Sequence, residues 1–189
     1  MLNSTQELNS TQEVYERLIR GGFLSADSSK PEVKHLYQEV DEHYGDYADF
    51  FKKIGFNLEC GNGYYFFSSV NESKSDIERR LAAFCKWIDY LDFFKTFDTT
   101  FSVGYHFNKA RIVNEIDVNA DLKDKAKHLS AKNMSFAELV DKIINELETM
   151  GFAEKVDDIT ETYKITSAFR YAEDLVNLIT IYNEDEIPQ

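Results

Sequence analysis

The chain has 189 residues, of which 43% are hydrophobic and 14% aromatic, with 15 Phe and 11 Tyr against only 2 Pro and 8 Gly. This excludes a disordered chain and leaves room for one large domain or two small ones. The formal net charge is −13, from 34 acidic and 21 basic residues spread over both halves, so the basic excess that gives a free-standing DNA binder its affinity is missing, and self-repulsion or a basic protein partner is the better fit.

Leu2-Asn3-Ser4-Thr5-Gln6-Glu7 repeats unchanged as Leu8-Asn9-Ser10-Thr11-Gln12-Glu13. Each copy carries Ser-x-x-Glu, a helix-start signature, but only the second leads into an apolar run, so residues 1–10 read as a flexible extension. Val14, Leu18 and Ile19 share a helical face over Thr11–Arg20, and Gly21-Gly22 ends that helix. Phe23-Leu24-Ser25 is extended. Pro31 suits a first helical turn, and Val33, Leu36, Tyr37 and Val40 follow at helical spacing. After the break at His43-Tyr44-Gly45-Asp46, a further helix from Asp46 carries Phe50, Phe51 and Ile54 up to Gly55. Phe56, Leu58 and Cys60 alternate as in a strand, Gly61-Asn62-Gly63 turns, and Tyr64-Tyr65-Phe66-Phe67 is strand-prone. Helix, short strand, two helices and a hairpin is the winged-helix order, the hairpin being the wing.

Asn71–Phe97 reads as a long helix with a capping box at Ser75 and Glu78. Its stripe of Ile77, Leu81, Phe84, Ile88, Leu91 and Phe94 is broadened by Trp87 and Phe93. So aromatic a helix between two units is expected to pack them together. The second half repeats the plan. An ambiguous start at Phe101 leads to Ile112, Val113 and Ile116 at helical spacing, then a short charged helix over Asp121–Leu129. Ser135 and Glu138 form a capping box before Leu139, Val140, Ile143, Ile144 and Leu147. Phe152–Val156 and Thr162–Thr166 read as a second hairpin, and Ser167–Tyr182 as a last helix. Ile54-Gly55-Phe56 and Met150-Gly151-Phe152 are matching helix-to-hairpin junctions. The expected fold is α+β and predominantly helical, with tandem winged-helix domains at 11–70 and 99–189 joined by a long helix at 71–98.

The residues carry little chemistry. His35, His43, His106 and His128 are scattered, Cys60 and Cys85 form no CxxC pair and read as reduced thiols, and no metal site or cofactor is expected. There is no nucleophile elbow. Gly61-Asn62-Gly63 leads into a strand and so is no phosphate loop. Acid pairs such as Asp41-Glu42 and Asp157-Asp158 reflect the composition. No secretory signal pattern appears, and charges interrupt each apolar stretch before the ~20 residues of a membrane span. The expectation is a non-enzymatic, soluble, cytoplasmic protein.

In a winged helix the second helix of the helix-turn-helix normally enters the major groove. Here the first candidate sets Asp46 and Asp49 against Lys52 and Lys53, and its Phe50 and Phe51 look structural. The second sets Glu138, Asp141, Glu146 and Glu148 against Lys142. Neither suits phosphates. The DNA-contact candidates are instead Lys123, Lys125, Lys127 and Lys132, with Arg79 and Arg80, and their contact would be weak and non-specific.

Tyr15-x-x-Leu18-Ile19-x-Gly21-Gly22-Phe23-Leu24, Leu36-Tyr37, Phe50-Phe51-x-x-Ile54-Gly55-Phe56-x-Leu58 and Gly63-Tyr64-Tyr65-Phe66 form one set of motifs. Phe136-x-x-Leu139, Leu147-x-x-Met150-Gly151-Phe152 and Tyr163-x-Ile165-Thr166 make up a second. Together the pattern resembles the MukE/MksE-like, or kite, subunits of bacterial condensins and SMC–kleisin complexes, including related defence-associated versions. The resemblance implies a dimeric, nucleoid-associated accessory subunit that binds a kleisin and, through it, an SMC-type ATPase. Its role would lie in chromosome segregation and DNA condensation, or in DNA-restricting defence. It brings no catalytic residues. The alternative is a winged-helix transcription regulator.

Overall fold

The computed structural model describes residues 10–71 and 73–180, with the side chains at 76, 77, 79–84 and 178–180 outside that description. The first copy of the hexapeptide repeat, most of the proposed extension and the end of the last helix at Ile181 and Tyr182 lie outside the described residues.

The first half runs α1 (Thr11–Leu18), β1 (Leu24–Ser25), α2 (Pro31–Glu42), α3 (Tyr44–Lys53), β2 (Phe56–Gly61) and β3 (Tyr64–Ser69). A long helix, α4 (Lys74–Phe97), follows. The second half runs β4 (His106–Asn108), α5 (Lys109–Val118), α6 (Ala120–Leu129), α7 (Phe136–Met150), β5 (Ala153–Asp157), β6 (Thr162–Ile165) and α8 (Phe169–Thr180). The fold is α+β, with two three-stranded antiparallel sheets among the described residues. Each sheet has its strands in the order first, third, second of its own half.

Local signals account for most boundaries. Pro31 opens α2. Ser135 and Glu138 close a reciprocal capping box at the start of α7. Gly55 and Gly151, at φ +95° and +78°, take the left-handed backbone that lets a helix turn directly into a hairpin. The two junctions are therefore alike in conformation as well as in sequence.

Four expectations need correction. Ser10 does not cap α1 with its side chain. Its hydroxyl and amide go to the Glu39 carboxylate of α2, at 2.5 and 3.1 Å, so the second hexapeptide ties the helix to the body and Ser10 is itself buried. The ambiguous start of the second half contains β4, whose three residues gain strand character from pairing with β6, His106 opposite Lys164 and Phe107 opposite Tyr163. α4 begins at Lys74 and not at Asn71. Phe50, expected to be structural, is 40% exposed while Phe51 is fully buried. On α3, Tyr47 and Phe51 share the inward face, and Phe50 lies about 100° away.

Two hydrophobic cores result, and the first sheet is their common wall. Phe23, Tyr64 and Phe66 pack into the core of the second half, whereas Leu24, Tyr65 and Phe67 pack into that of the first. Successive side chains of a strand point to opposite faces, which explains why Tyr64-Tyr65-Phe66-Phe67 has no polar member: both faces are covered. The C-terminal part of α4 contributes Trp87, Tyr90, Leu91, Phe93, Phe94 and Phe97 to the second core. Phe94 stacks on Phe101 at 4.2 Å and Trp87 meets Phe152 edge-on at 5.0 Å.

A polar seam locks the halves. The Glu154 carboxylate, 3% exposed, accepts from the Ser28 hydroxyl (2.6 Å) and from both the amide and the hydroxyl of Ser29 (2.7 Å each). Asp27 accepts from the Ser167 amide at 2.7 Å, Lys164 donates to the Asp27 carbonyl at 2.6 Å, and the Ser167 hydroxyl donates to the Gly63 carbonyl at 2.5 Å. Burial works against the Asp27 carboxylate, but the Ser167 and Lys164 donors outweigh it and hold the acid below its ordinary value. These bonds satisfy groups that the interface has taken out of water, and they set the relative position of the halves.

Candidate partner-binding groove

Where the halves meet, a groove of about 840 Å³ opens beside the seam. Gly21-Gly22 and Phe23 enter it from the first half, Phe66 and Phe67 come from β3, and α4, α7 and α8 supply Trp87, Met150 and Tyr171. Phe23 is the hub: its ring centroid lies 5.1 Å from that of Phe152, 5.2 Å from Tyr171 and 5.4 Å from Phe66. The double glycine has its own role here. Gly21 takes φ +79°, and a side chain on Gly22 would meet the Arg17 carbonyl at 2.9 Å, so the Gly pair lets the chain leave α1 without strain or clash and deliver Phe23 across the gap.

α7 forms the polar wall. Lys142, Asn145 and Thr149 point outward into the groove at helical spacing, while Leu139, Val140, Ile143, Ile144 and Leu147 of the same helix are buried. Lys86 spans the opening, pairing with Glu146 at 2.6 Å and lying 5.9 and 5.7 Å from the ring centroids of Trp87 and Tyr90. Burial and the neighbouring Glu146 carboxylate push the Tyr90 hydroxyl well above the ordinary tyrosine range. An apolar floor with one polar wall is the chemistry that receives an amphipathic segment: apolar anchors below, hydrogen bonds along α7. The volume accommodates several side chains.

The groove is not legible in the sequence as a site. There α7 stands out only as a candidate DNA reader, and its outward face shows no signal until β3 and α4 stand opposite. Among the described residues no cluster of three or more His, Cys, Asp or Glu side chains could hold a metal. Both Cys60 and Cys85 are free and exposed. No helix among them is long and apolar enough to cross a membrane.

The DNA-contact candidates fall elsewhere. Lys123, Lys125 and Lys127 lie on α6 and Lys132 in the loop beyond it. Lys123 is paired with Asp117 at 3.6 Å, Lys127 with Asp124 at 2.8 Å and Lys125 with Asp92 of α4. The run that looks basic in sequence thus sits among carboxylates drawn from three segments, and only Lys132 has no ion pair among the described residues. Arg79 and Arg80 lie in α4, but their side chains are outside the described residues.

A family model described as "Condensin complex protein MksE" matches residues 9–176 of the chain. A search of the curated proteins returns no match.

Proposed function

The chain belongs to the MksE family of condensin complex proteins, and from that premise we propose that it is a non-enzymatic accessory subunit built of two winged helices and working as a pair of copies. Its partners are a kleisin-type protein and, through it, an SMC-type ATPase, and its place of work is the nucleoid, in chromosome organisation or DNA-restricting defence. The repeated order of helix, strand, helices and hairpin, with the same strand order in both sheets, supports the tandem winged-helix reading. α3 and α7 then hold the positions that read DNA in other winged helices.

The observation that carries the partner reading is the apolar groove against α7. The face that would enter a major groove instead forms, in the second half, one wall of a cleft lined by Phe23, Phe66 and Trp87. A kleisin-type segment with apolar anchors fits it; a phosphate backbone does not. Direct DNA contact enters only as a weak, non-specific contribution from Lys123, Lys125, Lys127, Lys132, Arg79 and Arg80. The transcription-regulator reading is not favoured by a family of condensin complex proteins.

Co-expression with a kleisin-type protein and an SMC-type ATPase from the same genome tests the proposal. The wild-type chain is expected to co-purify with both. Asn145→Arg with Thr149→Arg, both at exposed positions, fills the groove and is expected to abolish capture without unfolding the protein. Wild-type protein that fails to co-purify, or a plugged groove that still captures the partner, sinks the reading.

A further inference from the structure

Besides its apolar floor, the groove bares a strand edge. In an antiparallel ladder, successive residues direct their amide and carbonyl first to one neighbouring strand and then to the other. The Val70 amide donates to the Gly55 carbonyl, so Ser68 and Phe66, opposite Asn57 and Glu59, direct theirs to β2. The Leu58 carbonyl accordingly faces away from β3 and accepts from the Tyr44 hydroxyl at 3.0 Å. On the other side of β3, the Ala26 amide donates to the Gly63 carbonyl at 2.9 Å and Leu24 stands opposite Tyr65. The next position in that register, opposite Phe67, would fall to Gly22, but β1 consists of Leu24 and Ser25 alone. The amides and carbonyls of Phe67 and Ser69 therefore point past the end of β1 and have no hydrogen bond among the described residues.

This edge opens into the groove. Phe67, whose ring packs on Phe51 and Phe56 in the first core, lines it together with Phe66, Gly21 and Gly22. An open edge of this kind is where extended segments add, the main chain giving affinity and alternate side chains giving specificity. A helix laid here would satisfy its own backbone and leave Phe67 and Ser69 unmet. The charges of the opposite wall narrow the choice further. On α7, Glu138 accepts from Ser135, Asp141 pairs with Lys109 at 2.5 Å and Glu146 with Lys86 at 2.6 Å. Lys142 has no ion pair among the described residues, so the uncommitted charge on this wall is positive and complements an acid.

We propose that the groove takes its partner segment in extended form, as a strand added to β3 beyond the end of β1 and bonded to the backbone of Phe67 and Ser69. Every second side chain of that segment rests on the floor of Phe23, Phe66 and Trp87, and an acidic residue faces Lys142. This deepens the reading of the groove as the seat of a kleisin-type segment and rests on it.

Hydrogen exchange of the full chain, alone and saturated with the kleisin-type protein, tests the proposal at single amides. In the free chain the amides of Phe67 and Ser69 exchange fast, while those of Phe66 and Ser68, bonded to β2, exchange slowly. Binding is expected to slow Phe67 and Ser69 by about 100-fold or more. Ser69→Pro removes one edge donor at an exposed position, where the fold makes no use of it. It is expected to weaken capture about 10-fold with a circular dichroism spectrum and unfolding midpoint close to wild type, and Ser69→Ala is expected to capture normally. On the partner's side, single backbone N-methylations of the shortest capturing peptide are expected to weaken binding at every second residue. Lys142→Glu is expected to weaken capture, and replacing the partner's facing acid by lysine to restore it. Unchanged exchange at Phe67 and Ser69 in the complex, full capture by S69P, or N-methylation effects without a period of two overturns the proposal. Capture lost in the plugged-groove variant, with Phe67 and Ser69 still exchanging as in the free chain, upholds the groove and removes the added strand alone. Capture retained by the plugged groove, or absent from the wild type, ends both readings.

Discussion

Glu154→Ala removes the acceptor on which the polar seam converges. The carboxylate is 3% exposed and takes three donors, the hydroxyls of Ser28 and Ser29 and the amide of Ser29, all within 2.7 Å. A hydrogen bond to a charged acceptor contributes about 1.5–3 kcal/mol, but the desolvation of the carboxylate offsets part of that sum. The two hydroxyls can turn to other partners, whereas the Ser29 amide is fixed in direction. A net loss of about 3 kcal/mol follows, which in a chain of this size lowers the thermal midpoint by about 6–12 °C. Glu154→Gln keeps an oxygen for Ser29 and the shape of the side chain, so its loss is about 1 kcal/mol. Glu42→Ala, at an exposed position, serves as the control and is expected within about 0.5 kcal/mol of wild type. Urea and thermal unfolding of the three variants rank them. An E154A protein as stable as E42A would refute the idea that the seam holds the halves together.

Acid sensitivity has a source at the turn after α4. The Asp98 carboxylate accepts from the Thr100 hydroxyl, the Tyr105 hydroxyl and the Thr100 amide, with Arg111 nearby, and its pKa falls to about 2 from an ordinary 3.8. A depressed folded value means the stabilisation is complete above about pH 4 and disappears as the pH falls towards 2. Asp98→Asn is therefore expected to lower the urea midpoint at pH 7, with the gap to wild type closing between about pH 4 and about pH 2; a gap independent of pH contradicts the assignment. Duplex DNA is expected to be held by the isolated protein only at low salt. Raising monovalent salt from about 50 to about 200 mM should release it, and Lys127→Glu with Lys132→Glu should weaken it equally for all sequences. Sequence-selective binding at physiological salt, measured by fluorescence anisotropy, would favour the regulator reading instead.

Much of the architecture can be read from short stretches of chain, because the signals are local. The Ser135–Glu138 box, Pro31 at the start of α2 and the glycines at 55 and 151 act within a turn or two of backbone, where steric limits and hydrogen-bond geometry leave few choices. The outward position of Phe50 is not among them: it reads as structural beside Phe51, and only the packing of Tyr47 and Phe51 against the core leaves it 40% exposed. The site is harder to see. Lys123, Lys125 and Lys127 form a basic run on paper, yet their neighbours in space are Asp117, Asp92 and Asp124.

The sequence by itself determined where this chain turns, starts a helix or becomes a hairpin, and that the pattern occurs twice. Only the tertiary structure decided that the first sheet is a wall between two cores, that Glu154 is buried under Ser28 and Ser29, and that the outward face of α7 closes a groove. The reason is physical. Backbone preference acts between residues near in sequence, whereas burial depends on what distant segments place opposite. An aromatic residue has the same composition in a core, in a groove floor or on an exposed helix face, and Phe51, Phe23 and Phe50 are one of each.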